Sequence, residues 1–177
     1  MNVITFRRAS LDDVPAMARL REASGWTGGA GAETMHRYLT CEHHPQQALA
    51  PRTAFVAEAA GEAVGFIAGH LTSRFGCEGE VPWLLVAPAE RGGPAAAALL
   101  GAMAAWFGAQ GAARVCVNVE SANVQARRFY ARHGVVNPSE NWMVWHDVTA
   151  PPPPAGGRVR RPAWLTCRCE VRRPAQS

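Results

Sequence analysis

The hydrophobic and polar positions change period several times along the chain, and each change marks a new element. Residues 3–7 alternate apolar and polar side chains at the two-residue period of a strand. Leu11, Val14, Met17, Ala18 and Leu20 then recur at helical spacing, with Ser10 placed as an N-cap. Asp12 and Asp13 fall in the first turn, where carboxylates favour the positive end of a helix. A glycine-rich loop at 25–31 contains Trp26, and residues 33–39 read as a second short helix. Residues 53–60 and 63–72 are strand-like runs on either side of Gly61-Glu62, which signals a hairpin. Residues 79–87 form a further strand that leads through a Pro- and Gly-containing loop into an Ala-rich helix at about 94–110. A strand at 114–119, a helix at 123–133 ended by Gly134 and a last strand at 142–148 complete an α/β pattern.

The chain of 177 residues suits one domain, because about 70% of the unfolded surface is buried at this size without help from disulfides or metal. Residues 151–154 are all proline and are followed by Ala155-Gly156-Gly157, a run that continues neither strand nor helix. The expected organisation is therefore a folded domain over 1–149 and a disordered Pro/Arg-rich tail over 150–177, too polar and short to fold alone.

Charge sharpens that division. The net charge is +4, but the tail holds six Arg against Glu170, which leaves the other 149 residues at −1. A body with that balance has no phosphate-tracking surface, so a nucleic-acid partner is not expected. Residues 92–113 carry no charge, yet they are dominated by Ala and Gly and include Gln110, which predicts a helix packed on a sheet and no membrane span. Five scattered cysteines, Cys41, Cys77, Cys116, Cys167 and Cys169, read as reduced thiols. Arg7 and Arg8 interrupt the first apolar residues and no signal peptide is read there, so the expected location is the cytoplasm.

Two stretches carry candidate chemistry. The first runs Val86-Ala-Pro-Ala-Glu-Arg91-Gly-Gly-Pro-Ala-Ala96 between a strand and a helix. A strand that ends in such a turn and opens a helix aims several N–H groups and a positive dipole end at one spot, which suits a pyrophosphate. Lys-Ser or Lys-Thr does not follow the glycines, and G-x-G-x-x-G is absent, so ATP and NAD are disfavoured. The second is Asn123-Val-Gln-Ala-Arg-Arg-Phe-Tyr130-Ala-Arg-His-Gly134. Asn123 and Tyr130 lie about two helical turns apart and leave from one face, either as an N-cap and a core aromatic or as cofactor-facing groups with a phenol able to donate a proton.

In their order and spacing the two stretches resemble the GNAT superfamily of N-acetyltransferases, whose cofactor loop has the form Q/R-x-x-G-x-G/A. The resemblance covers about residues 3 to 148 and is strongest from 80 to 134. It implies a mixed, largely antiparallel central sheet flanked by helices on both faces and splayed where acetyl-CoA enters, with acetyl-CoA as donor cosubstrate and no metal. By it, Leu84, Leu85 and Val86 present strand-edge groups to the pantetheine arm, and Arg91, Gly92, Gly93, Pro94, Ala95 and Ala96 hold the pyrophosphate. Asn123 meets the cofactor near the acetyl end, and Tyr130 protonates the departing thiolate. The sequence departs from the pattern at Pro94, which stands where the loop has its central glycine and has no N–H to offer.

An amine acceptor must lose a proton around its direct attack on the thioester. Glu80 is the candidate base, with strand alternation expected to set Glu80, Pro82, Leu84 and Val86 on one face and Glu78 as the fallback. Trp26 is a candidate for the acceptor pocket wall, while Cys41-Glu-His43-His44 lacks a converging further ligand and His70 reads as a packed histidine. The expected acceptor is an amine-bearing small molecule or a protein N-terminus, and the protein a monomer or homodimer. The alternative is a CoA-binding regulatory or interaction module without turnover, motivated by Pro94.

Overall fold

The computed structural model describes residues 3–25, 31–43 and 47–150. Trp26, His44 and the tail over 151–177, including Cys167-x-Cys169, lie outside the described residues. Among those residues seven strands, β1 (Ile4–Arg8), β2 (Ala48–Ala59), β3 (Glu62–Thr72), β4 (Gly79–Val86), β5 (Val115–Asn118), β6 (Val136–Ser139) and β7 (Trp142–Trp145), form one sheet in the order β1-β2-β3-β4-β5-β7-β6. Every neighbouring pair is antiparallel except β4 and β5, which run parallel. The mixed, largely antiparallel sheet expected from the sequence is thus present.

Four α-helices of the described residues cover it, α1 (Val14–Ala23), α2 (Gly31–Leu39), α3 (Ala95–Ala109) and α4 (Val124–Arg132). Side chains of β2 alternate between the two faces at the strand period. Ala54 and Val56, with Phe66 and Ala68 of β3, meet Val14 and Met17 of α1 and Met35 and Tyr38 of α2. On the other face Phe55, Ala57, Ile67 and Val81 meet Leu99, Met103 and Phe107 of α3 and Tyr130 of α4. Helices therefore flank both faces, as expected. The uncharged stretch read as a packed helix is α3, whose Leu99, Leu100, Met103 and Phe107 are buried. No helix of the described residues is long and apolar enough to cross a membrane.

Several boundaries differ from the sequence expectation for identifiable reasons. Strand β2 begins at Ala48 instead of 53, because the register shift between Leu49 and Arg52 around Pro51 hides its first residues from a periodic reading. The hairpin turns at Ala60-Gly61, one residue earlier than Gly61-Glu62. Both residues have positive φ, 52° and 82°, as a two-residue primed turn requires, and Glu62 already pairs with Ala59. The last strand stops at Trp145, and Val148 instead donates its N–H to Ala113 O. Strand β6 was not expected; it is a four-residue edge strand containing Pro138, which is where a sheet tolerates proline.

Ser10 precedes a 3-10 turn, Leu11–Asp13, which leads into α1. Asp13 does more than complement a helix end. Its Oδ2 accepts the Ser10 N–H at 2.7 Å, and both oxygens take the Arg7 guanidinium at 2.7 Å each. Arg7 also donates from Nη2 to Glu58 Oε1 at 2.7 Å, so one arginine ties β1 to the entry of α1 and to β2. The Arg7 hydrogen bonds hold the Asp13 carboxyl below its ordinary range.

The approach of α3 to the sheet depends on two glycines. A Cβ at Gly79 would lie 2.4 Å from Phe107 Cε1, and one at Gly69 2.4 Å from Met103 Sδ. Methionine can swing aside, but the Phe107 ring is fully buried and has nowhere to go. Gly79→Ala is expected to destabilise the fold by about 1–3 kcal/mol, through overpacking. Adding Phe107→Leu should recover part of that loss. Thermal unfolding of both variants checks this, and an unchanged melting temperature for Gly79→Ala would show that the ring is not locked.

Candidate active site

The site begins with a break in strand alternation. Ala68 of β3 pairs with Trp83, but His70 pairs with Glu80, so Gly69 alone stands opposite two residues, Val81 and Pro82. This is a β-bulge, and Pro82 fits it because proline cannot donate to a central ladder. The bulge reverses the facing of everything after it. Gly79 and Val81 face α3, and so do Leu84 and Val86, whereas Glu80, Trp83 and Leu85 face the α1/α2 side. The expectation that Glu80 shares a face with Leu84 and Val86 is therefore corrected, since uniform alternation does not survive the extra residue.

The bulge also opens an edge. Strands β4 and β5 pair only at Gly79, Glu80 and Val81, and residues 82–86 have no β5 partner. Ala87 N–H donates to Val64 O on β3, so alternation turns the backbone groups of Leu85 toward β3 and those of Leu84 and Val86 toward the gap. Of the three residues expected to offer strand-edge groups, Leu84 and Val86 do so, and Leu85 is committed to the ladder.

Both helices that follow the parallel strands start at this open end. Gly92 has φ +83° in the turn before α3, a conformation glycine adopts without strain. The N–H groups of Gly92, Ala95, Ala96 and Ala97 have no backbone acceptor among the described residues. The helix dipole adds its positive end there. Gly93 is different, because its N–H already donates to Glu90 O at 3.1 Å. It shapes the turn and gives no free donor, contrary to its expected part in the loop. Pro94 carries αR dihedrals (φ −76°, ψ −12°) and contributes no N–H. Arg91 is exposed at the turn.

Asn123 caps α4, its Oδ1 accepting the Ala126 N–H at 3.1 Å. Seven residues later Tyr130 is 5% exposed and packs into the α3-side core, which the neighbouring Phe129 also touches. Burial pushes the Tyr130 phenol above its ordinary range, so it keeps its proton at neutral pH. Both ends of α4 are fastened. Arg127 Nη1 donates to Val119 O at 3.1 Å and Glu140 O at 2.9 Å, and Trp145 Nε1 donates to His133 O at 2.6 Å. Sequence reasoning did not find Arg127 and Trp145 in these roles, which are set by distant carbonyls.

Glu80 lies at the apex of the gap, two residues before Pro82, and is 6% exposed. Its Oε2 accepts from Arg74 Nε at 3.0 Å and stands 3.6 Å from His70 Nε2. Burial alone would raise its pKa, but His70 and Arg74 outweigh that and hold the carboxyl below its ordinary value. Glu78 lies at the other end of the β4–β5 pairing, where its Oε2 accepts the N–H groups of Ala113 (2.6 Å) and Arg114 (3.1 Å). Those two bonds lower its pKa and occupy it in fastening β5. The described residues hold no group of three or more His, Cys, Asp or Glu arranged for a metal.

The site thus has an open strand edge, two helix N-termini at the same end, a buried phenol on one side of the sheet and an ionised carboxylate on the other. A family model described as the Acetyltransferase (GNAT) family matches residues 22–135 of this sequence. The chain belongs to the GNAT family. The GNAT fold is also seen in solved structures similar to it. Ard1 from Thermoplasma volcanium is 24% identical, with 80% of this chain and 94% of that one covered and a TM-score of 0.63. PaiA N-acetyltransferase from Thermoplasma acidophilum, in complex with coenzyme A, is 18% identical over 81% and 98% of the two chains with a TM-score of 0.58. The ribosomal-protein-S18-alanine N-acetyltransferase of Escherichia coli is 14% identical over 80% and 91% with a TM-score of 0.61. At these identities the likeness is one of fold. A search of curated protein sequences finds no match.

The orphan donors before and within the first turn of α3 fit a pyrophosphate, and the unpaired edge at Leu84 and Val86 fits an amide-bearing arm. Pro94 leaves a hole in that set of donors. A hydrogen bond to a charged group contributes about 1.5–3 kcal/mol, against about 0.4–1 kcal/mol lost when glycine loosens the loop. Pro94→Gly is therefore expected to lower the acetyl-CoA dissociation constant about tenfold while slightly lowering the melting temperature of the free protein. Calorimetric titration of both proteins at one salt concentration measures this, and equal or weaker binding by the variant would show that residue 94 does not face the phosphates.

Proposed function

We propose that this GNAT-family protein transfers an acetyl group from acetyl-CoA to a primary amine of a small molecule or a protein N-terminus. The observation that carries the reading is the bulge-opened edge of β4, with Tyr130 and Glu80 arriving from opposite faces of the sheet. Acetyl-CoA supplies the activated acyl group. The free edge groups of Leu84 and Val86 and the α3 N-terminus orient it, with Asn123 at the start of α4 beside the gap.

The two titratable groups have opposite biases. Tyr130, protonated by burial, is suited to give a proton to a departing thiolate. Glu80 stays ionised at neutral pH, and its second oxygen, Oε1, makes no hydrogen bond among the described residues. That oxygen attracts an incoming ammonium and takes its proton, directly or through water. Environments that push two groups apart in this way favour assignment of acid to one and base to the other.

The decisive experiment is a panel of amines offered to the purified protein with acetyl-CoA, with release of free thiol followed. Acetyl-CoA binding without turnover on any amine would instead favour a regulatory module. Tyr130→Phe should keep the fold and cofactor binding but slow turnover by about 10²–10⁴-fold, through loss of the donor. An unchanged turnover number removes Tyr130 from the mechanism. Glu80→Gln should abolish the acidic limb of the pH–rate profile. That limb arises because a carboxylate base is lost as pH falls through its depressed pKa, so activity persists to more acidic pH than an unperturbed glutamate would allow.

A further inference from the structure

On the acceptor side of the sheet a row of buried polar groups runs from α2 to β4, and the reaction as proposed uses only its last member. Tyr38 of α2 and His70 of β3 are both fully buried, with Tyr38 Oη 3.0 Å from His70 Nδ1. The phenol is held in place by Trp83, edge-on at 4.9 Å, and by Arg52, whose guanidinium lies 5.4 Å over the ring. Burial pushes the Tyr38 pKa above its ordinary range, so the hydroxyl keeps its proton, and among the described residues His70 Nδ1 is the one hydrogen-bond partner available to take that buried O–H. His70 Nδ1 then accepts, which puts the ring proton on Nε2. Among the described residues Nε2 has no hydrogen-bond partner, and it faces Glu80 Oε2 at 3.6 Å, too long for a hydrogen bond and close enough for an electrostatic hold.

We infer that His70 and Tyr38 are positioning residues for Glu80: Tyr38 fixes the imidazole as the Nε2–H tautomer, and that N–H, with Arg74, pins Oε2 so that Oε1 is left for the amine. The inference rests on Glu80 being the group that meets the acceptor. A proton relay through the same residues is disfavoured by burial, because Tyr38 and His70 are fully buried and give a proton no exit. Thr72 contributes little to the hold, since its hydroxyl lies 3.1 Å from Gln47 O and 3.5 Å from Glu80.

Among the described residues the charged and titratable groups around Glu80 are few. His70 faces it from β3, Arg74 from the turn before β4, Cys77 from the segment preceding β4, and Cys116 from β5. Tyr38 of α2, with Arg52 of β2 behind it, completes the set. Burial raises both thiols and the phenol, so these stay neutral through the acid range. Of this set, Glu80 is the group whose titration the acidic limb follows.

Two replacements of His70 separate its nitrogens. Asparagine places its amide near the Nδ1 position, keeping an acceptor for Tyr38 and losing the donor toward Glu80. Glutamine places its amide near Nε2 and keeps that donor. His70→Asn should move the acidic limb of the kcat/KM profile up by about one pH unit, because Glu80 stays desolvated and loses a partner of its charged form. His70→Gln should bring the limb back toward the wild-type position.

Carbon NMR titration of the Glu80 carboxyl in the resting protein should show the same displacement, so the inference is testable even if no amine in the panel is acetylated. Ring-nitrogen NMR of the wild-type protein should find the His70 proton on Nε2, and Tyr38→Phe should admit the other tautomer. That measurement also stands if the His70 variants do not fold. An Nδ1-protonated ring in the wild type, or a Glu80 titration identical in wild type and His70→Asn, would overturn the inference. Equal loss of stability in both His70 variants with unmoved limbs would show a packing role only.

Discussion

A proline in the middle of a central strand cannot donate to the ladder, and the protein resolves that conflict with a bulge on which the rest of the site depends. With Val81 and Pro82 together facing Gly69, β4 carries one residue more than its partner, and every side chain beyond it changes face. Glu80 consequently points to the α1/α2 side while Leu84 and Val86 point to α3 and α4. The same bend ends the pairing with β5 at Val81, leaving the backbone groups of Leu84 and Val86 unpaired at a sheet position that would otherwise be interior. Without the bulge, the edge and the opposed acid and carboxylate would vanish together.

Opposite faces are useful only if something holds the two helix layers at the right height. On the α3 side that is done by absence of side chains: Gly69 and Gly79 let the Phe107 ring and Met103 lie against the backbone of β3 and β4. An Ala-rich helix has low side-chain entropy to lose and presents a thin surface, so it can sit this close. Its N-terminus is thereby fixed near the end of β4, where the N–H groups of Gly92 and the first turn have no backbone acceptor among the described residues. The uncharged stretch that made α3 look unusual in the sequence is the same property that brings its donors to the gap.

Most of the fold was legible because it was written in periods. The strands of the β2–β3 hairpin and helix α1 announce themselves by spacing, α3 by its uncharged Ala-rich run and α4 by Asn123 at its start, and Gly61, Gly92 and Gly134 mark turns that need positive φ. What the sequence hid were events that break a period. Pro51 concealed the first residues of β2, four-residue β6 was too short to show alternation, and the bulge put Glu80 on the face opposite to the one alternation assigned. Pro82 was the available signal for the last of these, since a central strand accepts proline only where its ladder is already disturbed. The loop motif was readable as residue types but not as donors: Gly93 turned out to have spent its N–H on Glu90.

The polar side of the site was the least legible because its logic is carried by distant partners. His70 looks in sequence like a histidine in a strand, and it is in fact fully packed. Its meaning comes from Tyr38, thirty-two residues earlier on helix α2, and from Glu80 across the β3–β4 ladder. Burying a carboxylate costs several kcal/mol unless its charge is met by donors, so Glu80 could not be kept ionised at this depth by strand geometry alone. Arg74 supplies a charge-assisted bond to one oxygen, and the imidazole adds a dipole whose direction is set by a phenol that burial keeps protonated. An ionised carboxylate with one pinned and one open oxygen is thus a product of three elements meeting on the α1/α2 face, beside a gap that only the bulge provides.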